Sequence, residues 1–159
     1  MTDKWGRRLF KTGAVALLVL GLVHSLSLIR ELVPANDTER QLFGLMSSYK
    51  FNLMGSIRSM SDMLRGFSVS FMLAALGFGL FDLLLFRERT GLLKRAALAN
   101  IIWLAAMAAV SLHYFFVVPT SFLAAALLIF VLAWSKLPAE GATRLVRGAA
   151  CSYNGECLA

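Results

Sequence analysis

The chain has only two histidines in 159 residues, and both, His24 and His113, fall inside long apolar runs. An ionisable side chain in hydrocarbon is costly and normally faces protein or a cavity, so each is a candidate for a site. Three chemistries suit two imidazoles at similar depth. They are proton transfer with a carboxylate, axial ligation of a haem iron from facing helices, and polar contact with a bound amphiphile. Asp62 is the natural carboxylate. Arg58 precedes it by four residues and Arg65 follows it by three, so on a helix one carboxylate faces two guanidinium groups. Tyr49 and Tyr114 add rings with one polar edge. His24, Tyr49, Arg58, Asp62, His113 and Tyr114 are the candidate ligand-binding set, and none is assigned a catalytic role in the leading reading.

Each candidate also has a plainer role. A membrane histidine commonly bonds to a neighbouring helix, and an exposed ion pair contributes about 0–1 kcal/mol. Met46, Met54, Met60 and Met63 carry soft thioethers that suit Cu(I), yet methionine is an ordinary gap filler. Snorkelling, or pairing with Arg87 and Arg89, accounts for Asp82. Cys151 and Cys157 are spaced C-x5-C rather than as the C-x2-C metal half-site, and are expected to be free thiols. Phosphate-loop, G-x-S-x-G, H-E-x-x-H and dinucleotide patterns are lacking, so the common soluble enzyme classes have no support. No metal or cofactor is assigned, with haem as the alternative.

These residues must be positioned by a membrane fold. Hydrophobic residues make up 58% of the chain and charged residues 16%, against about 25% charged in soluble domains. A net charge of +7 would suggest nucleic acid for a soluble chain, but the cations flank apolar runs and read as topology signals. Nucleic acid is therefore not an expected partner. Two cysteines near the C-terminus exclude a disulfide scaffold. Four stretches reach the roughly 20 residues needed to cross a bilayer: about 12–29, 66–86, 96–118 and 119–137. Residues 1–137 form one four-span domain, and 138–159 a loosely ordered tail. Pro119, Thr120 and Ser121 are expected to make the turn between the last two spans.

Lys and Arg concentrate on one side. The N-terminal flank, the second connection and the tail carry eleven of them against five in the first connection, which sets both termini in the cytoplasm. A cleaved signal peptide competes for the first span, but the run is long and no A-x-A-like site follows it. With this orientation His24 and His113 lie about 10 Å and 8 Å from the outer ends of their spans at 1.5 Å per residue, and Asp62 and Arg58 enter from the same side. Wheel stripes put His24 with Gly21, Ser25 and Leu28, His113 with Ala106 and Ala109, and Asp62 with Arg58, Gly66, Ser70 and Gly77. All three stripes are expected to be packing faces.

The first connection, residues 30–65, is too long for a simple linker. Asn36 with Glu39 three residues on spells a capping box. Leu42, Phe43, Leu45, Met46 and Tyr49 then recur at helical spacing, giving an amphipathic helix that lies in the interface or folds back as a lid. Residues 36–38 also spell a glycosylation sequon, without consequence in a bacterium. Past Lys50, the spacing of Phe51, Met54, Ile57, Met60 and Leu64 predicts that helix continues into the second span.

The run from Lys50 to Ser68, with Met54-Gly55, Arg58-Ser59, Asp62 and Gly66-Phe67, resembles the signature of a family of small, uncharacterised bacterial four-helix integral membrane proteins. His24-Ser25 and the stretch Tyr114 to Thr120 are similar as well, so the resemblance covers about residues 12–137. It implies a four-helix fold and a bacterial inner membrane, and no chemistry. The expected fold is all-α, a four-transmembrane-helix antiparallel bundle with an additional amphipathic helix between spans one and two. The expected function is a non-enzymatic membrane subunit or a lipid- or amphiphile-binding protein with an outer-leaflet polar pocket, its partners being the bilayer and a membrane protein or a second copy of itself. The alternatives are a small membrane enzyme moving protons through His24, Asp62 and His113, and a bis-histidine haem or quinone redox protein.

Overall fold

A computed structural model describes residues 2–29 and 33–138. Arg30, Glu31, Arg144, Arg147, Cys151 and Cys157 lie outside the described residues. The order of elements is α1 (Thr2–Ile29), α2 (Asp37–Ser48), β1 (Lys50–Leu53), β2 (Ser56–Ser59), α3 (Met60–Leu85), α4 (Thr90–Tyr114) and α5 (Val117–Lys136). The described residues are all-α apart from one small hairpin. Helices α1, α3, α4 and α5 are each long and apolar enough to cross a membrane, and the short amphipathic α2 lies between the first and second of them. In hydrocarbon, every backbone N–H and C=O needs a partner within its own segment, which selects helix over an open strand.

Helices α1, α3 and α4 begin before their apolar runs do, at Thr2, Met60 and Thr90. Their first turns are polar or basic, so the helix reaches out of the apolar zone without exposing backbone to lipid. The turn between α4 and α5 falls earlier than the proline predicted. Phe115 and Phe116 make it, and α5 starts at Val117. Pro119 then sits in the first helical turn, where its missing N–H would have had no helical partner anyway. The Thr120 hydroxyl donates to Phe116 O at 3.1 Å and lies 2.7 Å from the Ser111 hydroxyl, which closes this turn.

Residues 50–59 are not the helix that the spacing predicted. They form an antiparallel hairpin in which Lys50 faces Ser59, Phe51 faces Arg58, and Leu53 faces Ser56. Met54 and Gly55 turn it with φ of 48° and 91°, the pair of positive φ values that a two-residue type I′ loop requires. Asn52 Oδ1 accepts from Gly55 N at 2.9 Å. Apolar residues three apart imitate one helix face, but Gly55 and the alternation around it mark a strand pair instead.

The chain divides into two compact units, Met1–Leu17 with Phe78–Ala159, and Leu18–Gly77. In the first, α4 and α5 pack antiparallel, with Lys94 at Leu137 near one end and Ser111 at Thr120 near the other. The start of α1 packs on α5. Phe10 stands edge-on to Phe130 at 5.7 Å, and a Cβ added at Gly13 would come within 2.8 Å of the Phe130 ring. Leu17, Leu93, Ala97, Leu104, Leu123 and Ala133 complete this core. In the second unit, α1 and α3 approach closely at Gly21, where a Cβ would meet Leu76 side-chain atoms at 2.7 Å. Close backbone approach over glycine is how membrane helices gain packing contacts when lipid is as apolar as their own side chains.

Gly13→Ala should therefore lower thermal stability in detergent by about 1–3 kcal/mol through overpacking. In a Phe130→Ala background the same change should cost much less, since the obstructing ring is gone. Equal costs in both backgrounds, measured by thermal unfolding, would show that the ring does not set the fit at Gly13.

Candidate functional site

In the Leu18–Gly77 unit, local hydrogen bonding builds the region around Asp62. Ser59 is buried at 3% exposure and stands just before α3. Its hydroxyl lies 3.2 Å from Asp62 N, while Asp62 Oδ2 accepts from Ser59 N at 3.0 Å. This reciprocal pair is a capping box with Asp in the third position. The carboxylate thus holds the end of the hairpin to the first turn of α3. Arg58 lies on β2 rather than on a helix, and its guanidinium donates to the adjacent Ile57 O at 2.9 Å. The expected Arg58–Asp62 pairing along one helix face is absent because the chain is extended at Arg58. Tyr49 is exposed and stacks on Phe51 with ring centroids 6.4 Å apart. Since Phe51 faces Arg58 across the hairpin, the structure gathers Tyr49, Phe51, Arg58, Ser59 and Asp62 into one small cluster.

His24 is not part of that cluster. Its ring stands edge-on to Phe71 of α3 at 4.9 Å, and Phe71 is nine residues along the helix from Asp62, about 14 Å at 1.5 Å per residue. His24 Nε2 is a buried atom with no hydrogen-bond partner among the described residues. The stripe Gly21, His24, Ser25 and Leu28 does face protein, with Gly21 buried and the other three partly so. The stripe Asp62, Gly66, Ser70 and Gly77 does not, since all four residues are exposed and a Cβ at Gly66 or Gly77 would meet nothing within 4 Å.

His113 and Tyr114 belong to the other unit. Their rings meet edge-on at 4.5 Å, and both residues are exposed, as are Ala106 and Ala109 on the same stripe. The buried face of α4 runs instead through Leu93, Ala97, Asn100, Leu104 and Ser111. Helix α4 is apolar all round, so its hydrophobic pattern marks no face; the polar atoms that bond to other helices do.

One of those atoms belongs to a pair that sequence reasoning missed. Asn100 Nδ2 donates to Asp82 Oδ2 at 2.7 Å, and the two residues are 3% and 2% exposed. Asp82 therefore turns inward to α4 rather than pairing with Arg87 or Arg89 at the helix end. The available signal was two polar residues, each inside the apolar run of its helix, on consecutive helices joined by a short turn. Beside the pair, Phe78 and Trp103 stack at 4.7 Å. At the neighbouring helix ends, Arg7 donates to Phe86 O and Glu88 O, capping the carbonyl end of α3. Chemically, the unit holds one buried carboxyl–amide bond, and the Leu18–Gly77 unit holds one orphaned imidazole nitrogen. Among the described residues no three His, Cys, Asp or Glu side chains are grouped to hold a metal ion. No family model, curated protein or solved structure matches the chain.

Two predictions follow from this geometry. Asn100→Leu leaves a buried carboxyl without its donor and should destabilise the protein by about 1–3 kcal/mol, whereas the double variant with Asp82→Leu should recover most of the loss. Thermal unfolding of both in one detergent decides it, and additive losses would mean that the bond is not the reason for the burial. Separately, Asp62→Ala should speed amide exchange over residues 56–62, while Arg58→Gln should leave it unchanged. A matching acceleration in the two variants would reinstate the ion pair.

Proposed function

We propose that this is a small, non-enzymatic integral membrane protein of the bacterial inner membrane that binds lipid or another amphiphile through the segment 33–59, alone or as a subunit beside a membrane partner. The observation that carries this reading is α2. None of its residues is buried, yet Leu42, Leu45, Met46 and Tyr49 share one face while Asp37, Arg40, Gln41, Ser47 and Ser48 share the other. The helix is firmly made. Asn36 Oδ1 accepts from Glu39 N at 2.8 Å, and Glu39 Oε2 accepts from Ala35 N at 2.7 Å. An ordered helix that displays an apolar face, with Leu42, Leu45 and Tyr49 exposed and Met46 only half-buried, suits the boundary between headgroups and acyl chains.

The hairpin continues the same character. Met54 at its tip is fully exposed, and Ile57 is exposed beside it. Both α2 and the hairpin are tethered within a few residues to membrane-length helices, so the bilayer surface is the nearest apolar phase. His24, whose Nε2 is buried and without a hydrogen-bond partner among the described residues, lies about 8 Å from the end of α1 at 1.5 Å per residue and is a polar group that a bound amphiphile would satisfy. Tyr49, Arg58 and Asp62 supply polar edges at the rim. The exposed stripe Gly66, Ser70 and Gly77 on α3 suits a helix of a second copy or a partner protein, since small residues permit close approach. The excess of Lys and Arg on the other connections favours both termini in the cytoplasm and 33–59 on the periplasmic side.

Proton transfer between His24 and Asp62 finds no support, since Phe71, the α3 ring that His24 touches, lies about 14 Å along α3 from Asp62 at 1.5 Å per residue.

One labelling experiment tests this reading. Leu45 and Ser47 lie on opposite faces of α2, and each is replaced in turn by cysteine with Cys151 and Cys157 changed to serine. In intact cells a membrane-impermeant maleimide should modify Ser47→Cys readily and Leu45→Cys several-fold more slowly. In nanodiscs, brominated lipid should quench a fluorophore at Leu45→Cys and not at Ser47→Cys. Equal labelling without quenching would remove α2 from the interface, and labelling only after permeabilisation would reverse the orientation.

A further inference from the structure

The end of the first unit where α1 and α4 begin and α3 and α5 finish carries a concentration of charge that its helix-capping contacts use only in part. Four contacts hold it together. Arg7 reaches the α3–α4 turn at Phe86 and Glu88, Thr90 donates to Asp3 at 3.3 Å, Gly6 lies against Leu137, and Lys94 donates to Leu137 O at 2.7 Å. Residues 3–11, 86–95 and 134–137 therefore share one end. They carry nine cations, Lys4, Arg7, Arg8, Lys11, Arg87, Arg89, Lys94, Arg95 and Lys136, against two carboxylates, Asp3 and Glu88. The tail beyond adds two charges of each sign, so it leaves the excess unchanged. Residues 33–65, by contrast, hold four cations and three carboxylates.

Structural duties occupy only part of this set. Arg7 and Lys94 satisfy carbonyls at the C-terminal ends of α3 and α5, where helices favour positive charge. Lys4, Arg8, Arg87, Arg89 and Lys136 are exposed and have no ion-pair partner among the described residues. Lys4, Arg8 and Lys11 recur at i, i+4 and i+7, a row about 10 Å long on one face of α1 at 1.5 Å per residue. The Phe86 ring lies beneath both Arg7 and Lys11, at 5.4 and 5.7 Å, and Trp134 lies beneath Lys94 at 5.1 Å. Aromatic faces at this level hold the cations beside the apolar spans. In a bilayer that level is the headgroup layer.

We infer that this cationic end is a binding surface for the phosphodiester headgroups of anionic phospholipids, with Lys4, Arg8 and Lys11 of α1 and Arg87 and Arg89 of the α3–α4 turn as its principal contacts. A topology signal requires only that cations precede or follow a span during insertion. Here the folded chain also brings two separate cationic segments together and leaves Lys4, Arg8, Arg87 and Arg89 exposed without a carboxylate partner among the described residues, which is the arrangement a basic site between membrane helices uses to hold an anionic lipid. The inference is independent of the amphiphile reading of residues 33–59, which concerns another surface.

The test uses the whole protein purified in detergent, where insertion topology has no influence. Native mass spectrometry against phosphatidylglycerol and phosphatidylcholine of the same acyl chains should show preferential retention of phosphatidylglycerol, weakening as ammonium acetate is raised. Lys4→Gln, Arg8→Gln, Arg87→Gln and Arg89→Gln should each weaken it by about fivefold or less, and all four together by about tenfold or more. The charge-retaining Arg8→Lys and Arg89→Lys pair should keep the preference. Equal retention of the two lipids, a preference untouched by the quadruple change, or complete competition by millimolar inorganic phosphate would each overturn the inference. Should the quadruple variant not fold, the salt dependence and the phosphate competition of the unaltered protein decide alone.

Discussion

In a hydrocarbon layer a polar group can bond only to the protein itself, and most of what is specific about this chain answers that constraint. The backbone answers it with four long helices. Hydroxyl groups answer it locally, with Ser25 and Ser27 returning to Leu22 O and His24 O, and Ser121 and Ser135 to Val117 O and Leu132 O. Groups too short or too polar for that must find another helix, as Asp82 finds Asn100 and Ser111 finds Thr120. These two contacts join neighbouring helices, and Asn100 and Ser111 define the buried face of α4. Among the described residues, His24 Nε2 is the buried side-chain atom left without a hydrogen-bond partner.

The same accounting explains the shape of the segment between α1 and α3. Outside the apolar spans, short-range side-chain bonds replace tertiary packing as the source of order. Asn36 and Glu39 start α2, Asn52 braces the Met54-Gly55 turn, and Ser59 with Asp62 starts α3. Each device spans three or four residues. The segment therefore holds its secondary structure without a core of its own and keeps its apolar side chains available to a lipid surface.

Charge divides the chain in a complementary way. Residues 33–65 are nearly balanced, with carboxylates used as caps, whereas the end formed by residues 3–11, 86–95 and 134–137 is strongly cationic. There, Arg7 and Lys94 close helix C-termini and rest with Lys11 on aromatic rings, and Lys4, Arg8, Arg87, Arg89 and Lys136 meet no carboxylate among the described residues. Two different surfaces result, one apolar and amphipathic, the other cationic.

Composition, run length and the Asn36–Glu39 box were enough to give an all-α chain with four membrane-length helices and an amphipathic helix after the first, because these features depend on local hydrogen bonding and on solvent, both of which act residue by residue. The hairpin was legible too in principle, through Gly55 and the Ser59-x-x-Asp62 spacing, but apolar residues three apart imitate a helix when the turn chemistry is overlooked. What the sequence alone could not decide was direction. Helices α4 and α5 are apolar on every side, so nothing in their periodicity says that Asn100 turns inward while His113 turns out, or that Asp82 bonds to an amide rather than to a nearby arginine. Lipid and protein interior are equally apolar, and that choice is made only when the helices pack and each polar atom meets, or fails to meet, its partner.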